Sequence, residues 1–297
     1  VKNLNKKHKE LSDGLQKAIL AKDEWKAKLK SDKAKLKISS KRKKSRPRAY
    51  VIDFIGDLKA SAVPSLREEV TAILDVAKKS DQVIVRLDNS GGVVHEHGLA
   101  ASQLVRIRNK NINLVVIVDK VAASGGYLMA AVANKIYAAP FAILGSIGVI
   151  AQLPNFNRLL DSHGVDFEQV TAGQYKRNVT MFGKNTDEDR AKLKDQLEEV
   201  HELFKSSVSE YRPAMNLSKV ATGEHWYGRK ALDLGLADEI KTSDELLIEM
   251  SKKYDIFSVK YKFKQPLKQR IMGGMDSLFG KFEDFRWRRK FESELPR

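Results

Sequence analysis

Ser124 stands in the stretch "VDKVAASGGYLMAAVANK", between strand-forming residues and an alanine-rich run, with Ala123 before it and Gly125-Gly126 after it. Small neighbours permit a sharp turn and a close backbone approach. A helix starting at the serine would aim free N–H groups at whatever the hydroxyl attacks. That suits a nucleophile, although a buried helix-capping serine has the same local sequence. Three glycine turns each follow an apolar run: "DNSGG" (Asp88–Gly92), "AASGGY" (Ala122–Tyr127) and "GSIGV" (Gly145–Val149). Each alone is ordinary turn chemistry. Together they point to a site at the carboxyl ends of neighbouring strands, where open α/β sheets place ligands.

A nucleophilic serine needs a base and an oxyanion hole. None of the six histidines (His8, His95, His97, His163, His201 and His225) announces a Ser-His-Asp triad, and the Gly-x-Ser-x-Gly pattern is absent. His95-Glu96-His97 lacks a third ligand and has the wrong spacing for a zinc helix, so these histidines read as surface residues and no metal site is expected. A Ser-x-x-Lys match, Ser40 to Lys43, falls in a basic linker and reads as chance. The other available base is lysine, whose ammonium loses its proton more readily when burial disfavours the charge. Composition singles out no lysine. Lys176 in "TAGQYKRN" is a candidate because it follows a glycine turn beyond the core strands.

The elements that must position these residues read as repeated strand–helix units. "AYVIDFIG", "QVIVRLD" and "INLVVIVD" are apolar strands, and residues 65–79 and 99–110 are helices between them. "KIYAA" and "LGSIGVIA" follow. Nearly continuous apolar strands separated by helices predict an α/β protein with a mostly parallel sheet. Thr186 is placed to cap a helix over 186–211, with Leu193, Leu197, Val200, Phe204 and Val208 on one face. "YGRKALDLGLADEI" reads as a turn, a short helix stopped at Gly235, and a last strand. Residues 1–48 form a basic helical region and linker, 49–255 the main domain, and 256–297 a C-terminal tail with Ile271, Met275, Leu278, Phe282 and Phe285 at helical spacing.

The formal charge of +16 is concentrated: 18 lysines and arginines against 5 acids in residues 1–48 leave only +3 for the remainder. A basic arm on a nearly neutral domain gives no reason to expect a nucleic-acid partner. Such an arm can instead attract anionic lipid head groups. Without cysteine there are no disulfides or thiolate metal sites. The uncharged stretch 136–157 is long enough to suggest a membrane span, but Pro140, Gly145, Gly148 and Pro154 divide it into buried strands and turns. The first residue is valine rather than methionine, so a membrane anchor upstream of Val1 is expected.

"VDKVAASGGYLMA", "APFAILGSIGVIAQ", "TAGQYKR" and "ATGEHWYGRKALDLGLADEI" resemble, in order, the motifs of bacterial signal peptide peptidase A-type proteases, most closely their SohB branch. The resemblance runs from about residue 50 to 251 and implies a ClpP/crotonase-like fold. It implies peptide hydrolysis by a serine–lysine dyad without a cofactor, Ser124 as nucleophile and Lys176 as general base. By the same resemblance Ser146 orients the lysine, and the Gly91 and Gly125 N–H groups form the oxyanion hole. The family's turn usually reads Ser-Pro-Gly-Gly; here Asn89-Ser90-Gly91-Gly92 lacks the proline, which frees φ at Ser90. The expected substrates are signal peptides or short membrane-derived peptides, with a homo-oligomer at the bacterial inner membrane and a periplasmic catalytic domain. The alternatives are a crotonase-like acyl-CoA enzyme and a non-catalytic membrane-associated scaffold.

Overall fold

Apolar runs set the centre of the molecule. The computed structural model describes residues 1–41, 46–173 and 175–263. The two-residue strand β1 (Lys2–Asn3) leads into α1 (Leu4–Ile19), whose first turn is capped by the Asn3 side chain accepting from the Lys6 N–H, and then α2 (Lys22–Lys41). The alternation of strand and helix follows: β2 (Arg48–Ile55), α3 (Val63–Val76), β3 (Gln82–Asp88), α4 (Val94–Asn109) and β4 (Asn113–Val118). Short elements come next: β5 (Val121–Ala123), α5 (Gly125–Ala131), β6 (Lys135–Ala138), β7 (Ile143–Gly145) and α6 (Asn157–Ser162). The long α7 (Asp187–Tyr211), α8 (Leu217–Val220), β8 (His225–Tyr227), α9 (Gly228–Asp233), β9 (Glu239–Ile240), α10 (Ser243–Ser251) and β10 (Asp255–Val259) complete the chain.

Seven strands form one sheet in the order β1-β10-β2-β3-β4-β6-β9, parallel throughout except for β1. Alternate residues of its strands serve two cores. Ile52, Val83, Val85 and Val116 pack with Leu66, Val70 and Ile73 of α3 and Leu104 and Ile107 of α4. Val51, Ile84, Val115 and Ile117 face Leu246 and Leu247 of α10. Burial on both faces is why these strands are apolar without alternation. The expected α/β architecture with a mostly parallel sheet is the one observed. A second sheet, β5-β7-β8, sets β5 parallel to β7 and stands where the serine turn begins.

Thr186 caps α7 in a reciprocal box: its hydroxyl accepts from the Asp189 N–H while the Asp189 carboxylate accepts from the Thr186 N–H. Of the expected apolar stripe, Phe204 and Val208 are buried, whereas Leu193, Leu197 and Val200 are only half-buried.

Three expectations change. The helix expected from Leu99 starts at Val94, because the polar His95 and Glu96 and the helix-weakening Gly98 conceal its first turn. In the uncharged stretch 136–157 the buried residues end at Ile147 and already leave Phe141 exposed, and residues 150–156 are exposed. The arm and tail boundaries at 48 and 255 do not separate structural units. β1 pairs with β10, and the Asn5 side chain donates to the Ser251 and Tyr254 carbonyls and accepts from the Ile256 N–H. Nor does the tail begin after the sheet, since β10 occupies 255–259 between β1 and β2. The apolar spacing at 271–285 and the basic run at 42–45 lie outside the described residues. Among the described residues no helix is long and apolar enough to cross a membrane.

Candidate active site

Ser124 follows β5 and is the residue from which α5 springs. Its φ of 50° and ψ of −123° lie where a side chain is strained, and the conformation is held by its neighbours. The Ser124 N–H donates to the Gly145 carbonyl at the end of β7 (2.8 Å), and its own carbonyl accepts from the Leu128 N–H (3.0 Å). Only four non-glycine residues among those described have positive φ: Ala60, Asn111, Ser124 and Ser146. Two of them are serines singled out on the resemblance. They are joined through Gly145, whose carbonyl holds Ser124 and whose next residue is Ser146.

The turn after β3 lies directly against this serine. A Cβ on Gly91, at φ 89°, would be 2.7 Å from the Ser124 Cβ and 2.8 Å from the Gly125 nitrogen. One on Gly126 would be 2.1 Å from the Asn89 carbonyl oxygen, so that helix and turn touch backbone to backbone. The Asn89 N–H donates to the Val121 carbonyl (2.9 Å) and the Asn89 carbonyl accepts from the Ala123 N–H (3.0 Å). The glycines around the serine are therefore a packing requirement as well as a turn signal.

Asn89 and His97 are the residues that sequence reasoning missed. Asn89 is 1% exposed, and its Oδ1 accepts from the Gly91 N–H (2.9 Å), closing the turn from within. That occupies the Gly91 N–H assigned on the resemblance to the oxyanion hole. Gly92 and Gly125, rather than Gly91, line the cleft in which Ser124 sits. His97, expected at the surface, is 1% exposed. Its ring lies so close over Gly125 that a Cβ there would come 2.5 Å from the ring carbon. Burial lowers its basicity, outweighing the Val93 carbonyl and the charges of Asp57 and Glu96, which act in the opposite sense. The missed signal was helical periodicity: His97 precedes buried Ala100, Ala101 and Leu104 by three, four and seven residues. His95, by contrast, is exposed.

The cleft beside Ser124 has a volume of about 470 Å³ and runs between α4, α5 and α7, with Ala101, Val105, Leu128, Val132, Leu203 and Phe204 in its walls. Apolar walls beside a strained hydroxyl can receive an extended chain by its apolar side chains.

Lys176 is elsewhere. It is exposed, its N–H donates to the Gly173 carbonyl (3.1 Å), and it lines a separate cleft with Leu153, Tyr175, Arg190 and Leu197. The single chain thus brings Ser124, Gly125, the Gly91–Gly92 turn and the Ser146 backbone together, but not Lys176. The Ser146 N–H donates to the Glu224 carbonyl (2.6 Å), which ties its turn to the segment before β8. The described residues that lead to Lys176, 150–173 and 175, are mostly exposed and include Ile150, Leu153, Leu159, Val165 and Val170.

Residues 106–256 match the profile described as peptidase family S49, and residues 1–104 match that of the peptidase family S49 N-terminal region. A probable protease SohB of Haemophilus influenzae is 55% identical over 73% of this chain and 62% of its own length. A probable protease SohB of Buchnera aphidicola subsp. Acyrthosiphon pisum is 51% identical over 77% of this chain and 68% of its own. The chain thus spans about two thirds of the length of these relatives. Among solved structures, a mutant of the membrane-bound stomatin-specific protease 1510-N superposes with a TM-score of 0.50 at 14% identity, over 74% of this chain and 100% of the other. At that identity the likeness concerns the fold, which is ClpP-like.

Proposed function

Since the chain belongs to peptidase family S49, we propose that it hydrolyses peptide bonds with Ser124 as nucleophile and Lys176 as general base. The Ser124 hydroxyl adds to the scissile carbonyl carbon as its proton passes to the Lys176 amine. The resulting oxyanion is met by the Gly125 N–H and by the Gly91–Gly92 turn, from which Gly92 faces the cleft. The lysine ammonium then protonates the departing amine, and water releases the acyl group from the serine.

The observation that carries this reading is the strained serine. A non-glycine residue is held at positive φ, at the start of a helix, with a glycine turn pressed to it and an apolar cleft beside it. The cleft favours substrates with apolar side chains, which fits signal peptides and other membrane-derived peptides. We place the protein at the bacterial inner membrane, with the catalytic domain on the periplasmic side.

Ser124 and Lys176 line different clefts in one chain, so the dyad requires the 150–176 segment to bring its lysine to the serine. It can do so within a chain or between chains of a homo-oligomer, and the exposed apolar side chains of that segment support the second route. The test is peptide cleavage by Ser124→Ala, by Lys176→Ala and by a mixture of the two. Each variant alone is expected to be inactive while folded. Recovery of activity on mixing places the dyad between chains; no recovery places it within one. Cleavage by folded Lys176→Ala at the wild-type rate would refute the lysine base.

A further inference from the structure

We infer that His97 is a positioning residue of the oxyanion turn, donating its Nε2 proton to the Asn89 side chain and so holding the Gly91–Gly92 backbone against Ser124. This rests on the peptidase reading above.

The donors and acceptors around the imidazole decide where its proton lies. The Gly91 N–H can only donate, so the Asn89 carboxamide must turn its oxygen toward it (2.9 Å). The amide nitrogen is then directed at the Met129 sulfur (3.4 Å), a weak acceptor. With the carboxamide oriented in this way, the atom 3.2 Å from His97 Nε2 is an oxygen that can only accept. The other ring nitrogen, Nδ1, lies 3.0 Å from the Val93 carbonyl, which also only accepts.

A neutral imidazole has one proton for these two places, and burial favours the neutral ring. The two places are not equivalent. Val93 is 38% exposed, its carbonyl already accepts from the His97 backbone N–H (3.1 Å), and its contact with Nδ1 is only partly buried, so an unprotonated Nδ1 is better screened there than an unprotonated Nε2 would be in its buried contact. Asn89 is sealed at 1% exposure, and two lone pairs facing each other beside it would have no solvent between them. The proton therefore belongs on Nε2.

From that position one side chain braces both sides of the oxyanion hole. The ring is packed on Gly125, whose missing Cβ leaves it room, and the Nε2–H holds the carboxamide that closes the Gly91 turn. Ser90, lacking a ring, does not restrict φ in this turn, so the side-chain contacts supply the rigidity. The brace touches no reacting atom. It acts through where the backbone donors lie when charge develops on the substrate oxygen.

The test compares His97→Gln with His97→Asn, using kcat and KM on a fluorogenic peptide together with thermal unfolding. The glutamine amide reaches roughly where Nε2 stands; the asparagine amide reaches only the Nδ1 position. Because oxyanion donors act chiefly on the transition state, His97→Asn is expected to lower kcat by about tenfold or more with KM changed by less than about twofold. His97→Gln is expected to regain most of that loss at a similar melting temperature. Wild-type kcat in His97→Asn, or equal loss in both variants, would overturn the proposal. Ser124→Ala in the same assay decides the peptidase reading separately. If that reading fails, the nitrogen-15 signals of the His97 ring still decide this one: an Nε2–H form supports it, and an Nδ1–H form overturns it.

Discussion

Replacing Ser124 by glycine and by alanine separates the strain at this residue from the loss of its hydroxyl. Both variants delete the nucleophile and are expected to be inactive. Alanine keeps a Cβ at φ 50°, ψ −123°, whereas glycine reaches this region without penalty. A non-glycine residue held in such a region costs about 1–3 kcal/mol. Against this, glycine gives the unfolded chain extra freedom worth about 0.5–1 kcal/mol. The balance leaves Ser124→Gly more stable than Ser124→Ala by about 1 kcal/mol, and in a domain of this size each kcal/mol moves the melting temperature by about 2–4 °C. Urea and thermal unfolding of the two inactive proteins, followed by circular dichroism, provide the assay. Equal midpoints, or a lower one for the glycine variant, would refute the claim that the fold holds this residue under strain.

Two helical glycines should respond in opposite directions to alanine. Gly126→Ala drives a Cβ to 2.1 Å from the Asn89 carbonyl oxygen and should cost about 1–3 kcal/mol and most of the activity, whereas Gly98→Ala, with nothing within 4 Å, should gain about 0.5–1 kcal/mol. Asp238 is pushed up by burial, but the paired bonds from Arg212 and the Ile136 N–H outweigh this and hold its carboxyl below the usual range. A depressed carboxyl contributes stability above its unfolded pKa of about 3.9 and loses it as the pH falls below that value. Asp238→Asn should therefore be destabilised at neutral pH, by about 1–2 kcal/mol, and show a shallower acid limb between pH 5 and about pH 2 in urea titrations. Unchanged slope would remove Asp238 from the acid transition. Leu128→Trp, which fills the cleft wall beside Ser124, should shift a peptide library toward alanine and glycine near the cleaved bond; undiminished cleavage at leucine would place the substrate elsewhere.

The central strands were legible because residues buried on both faces leave continuous apolar runs, as in "YVIDFI" and "INLVVIV". The capped start of α7 was legible for a different reason, since Thr186 and Asp189 stand three apart with acids around them. The joining of the chain's ends was not. β1 is only two residues long, and its partner β10 carries Asp255 and Ser258 among its five. In the site, small residues around Ser124 pointed to a close backbone approach, and the missing Cβ atoms at Gly91 and Gly126 account for it. His97 was misplaced because a histidine between polar neighbours looks exposed until the helix is extended back to Val94. Lys176 is a matter of tertiary placement: its motif is local, but its distance from the serine depends on a segment with little burial of its own.

The edge pairing of β1 with β10 changes what a pull on the first residue would meet. A load applied at Val1 is borne by the Lys2–Ser258 and Asn3–Phe257 pairs before it can straighten the basic stretch ahead of β2. It passes into β10 and from there sideways into β2, along a parallel register of five residue pairs. The basic arm is therefore a closed loop rather than a leash: its start and its finish are both fastened to β10, and tension at one end is felt inside the sheet whose β3 leads into the glycine turn against Ser124.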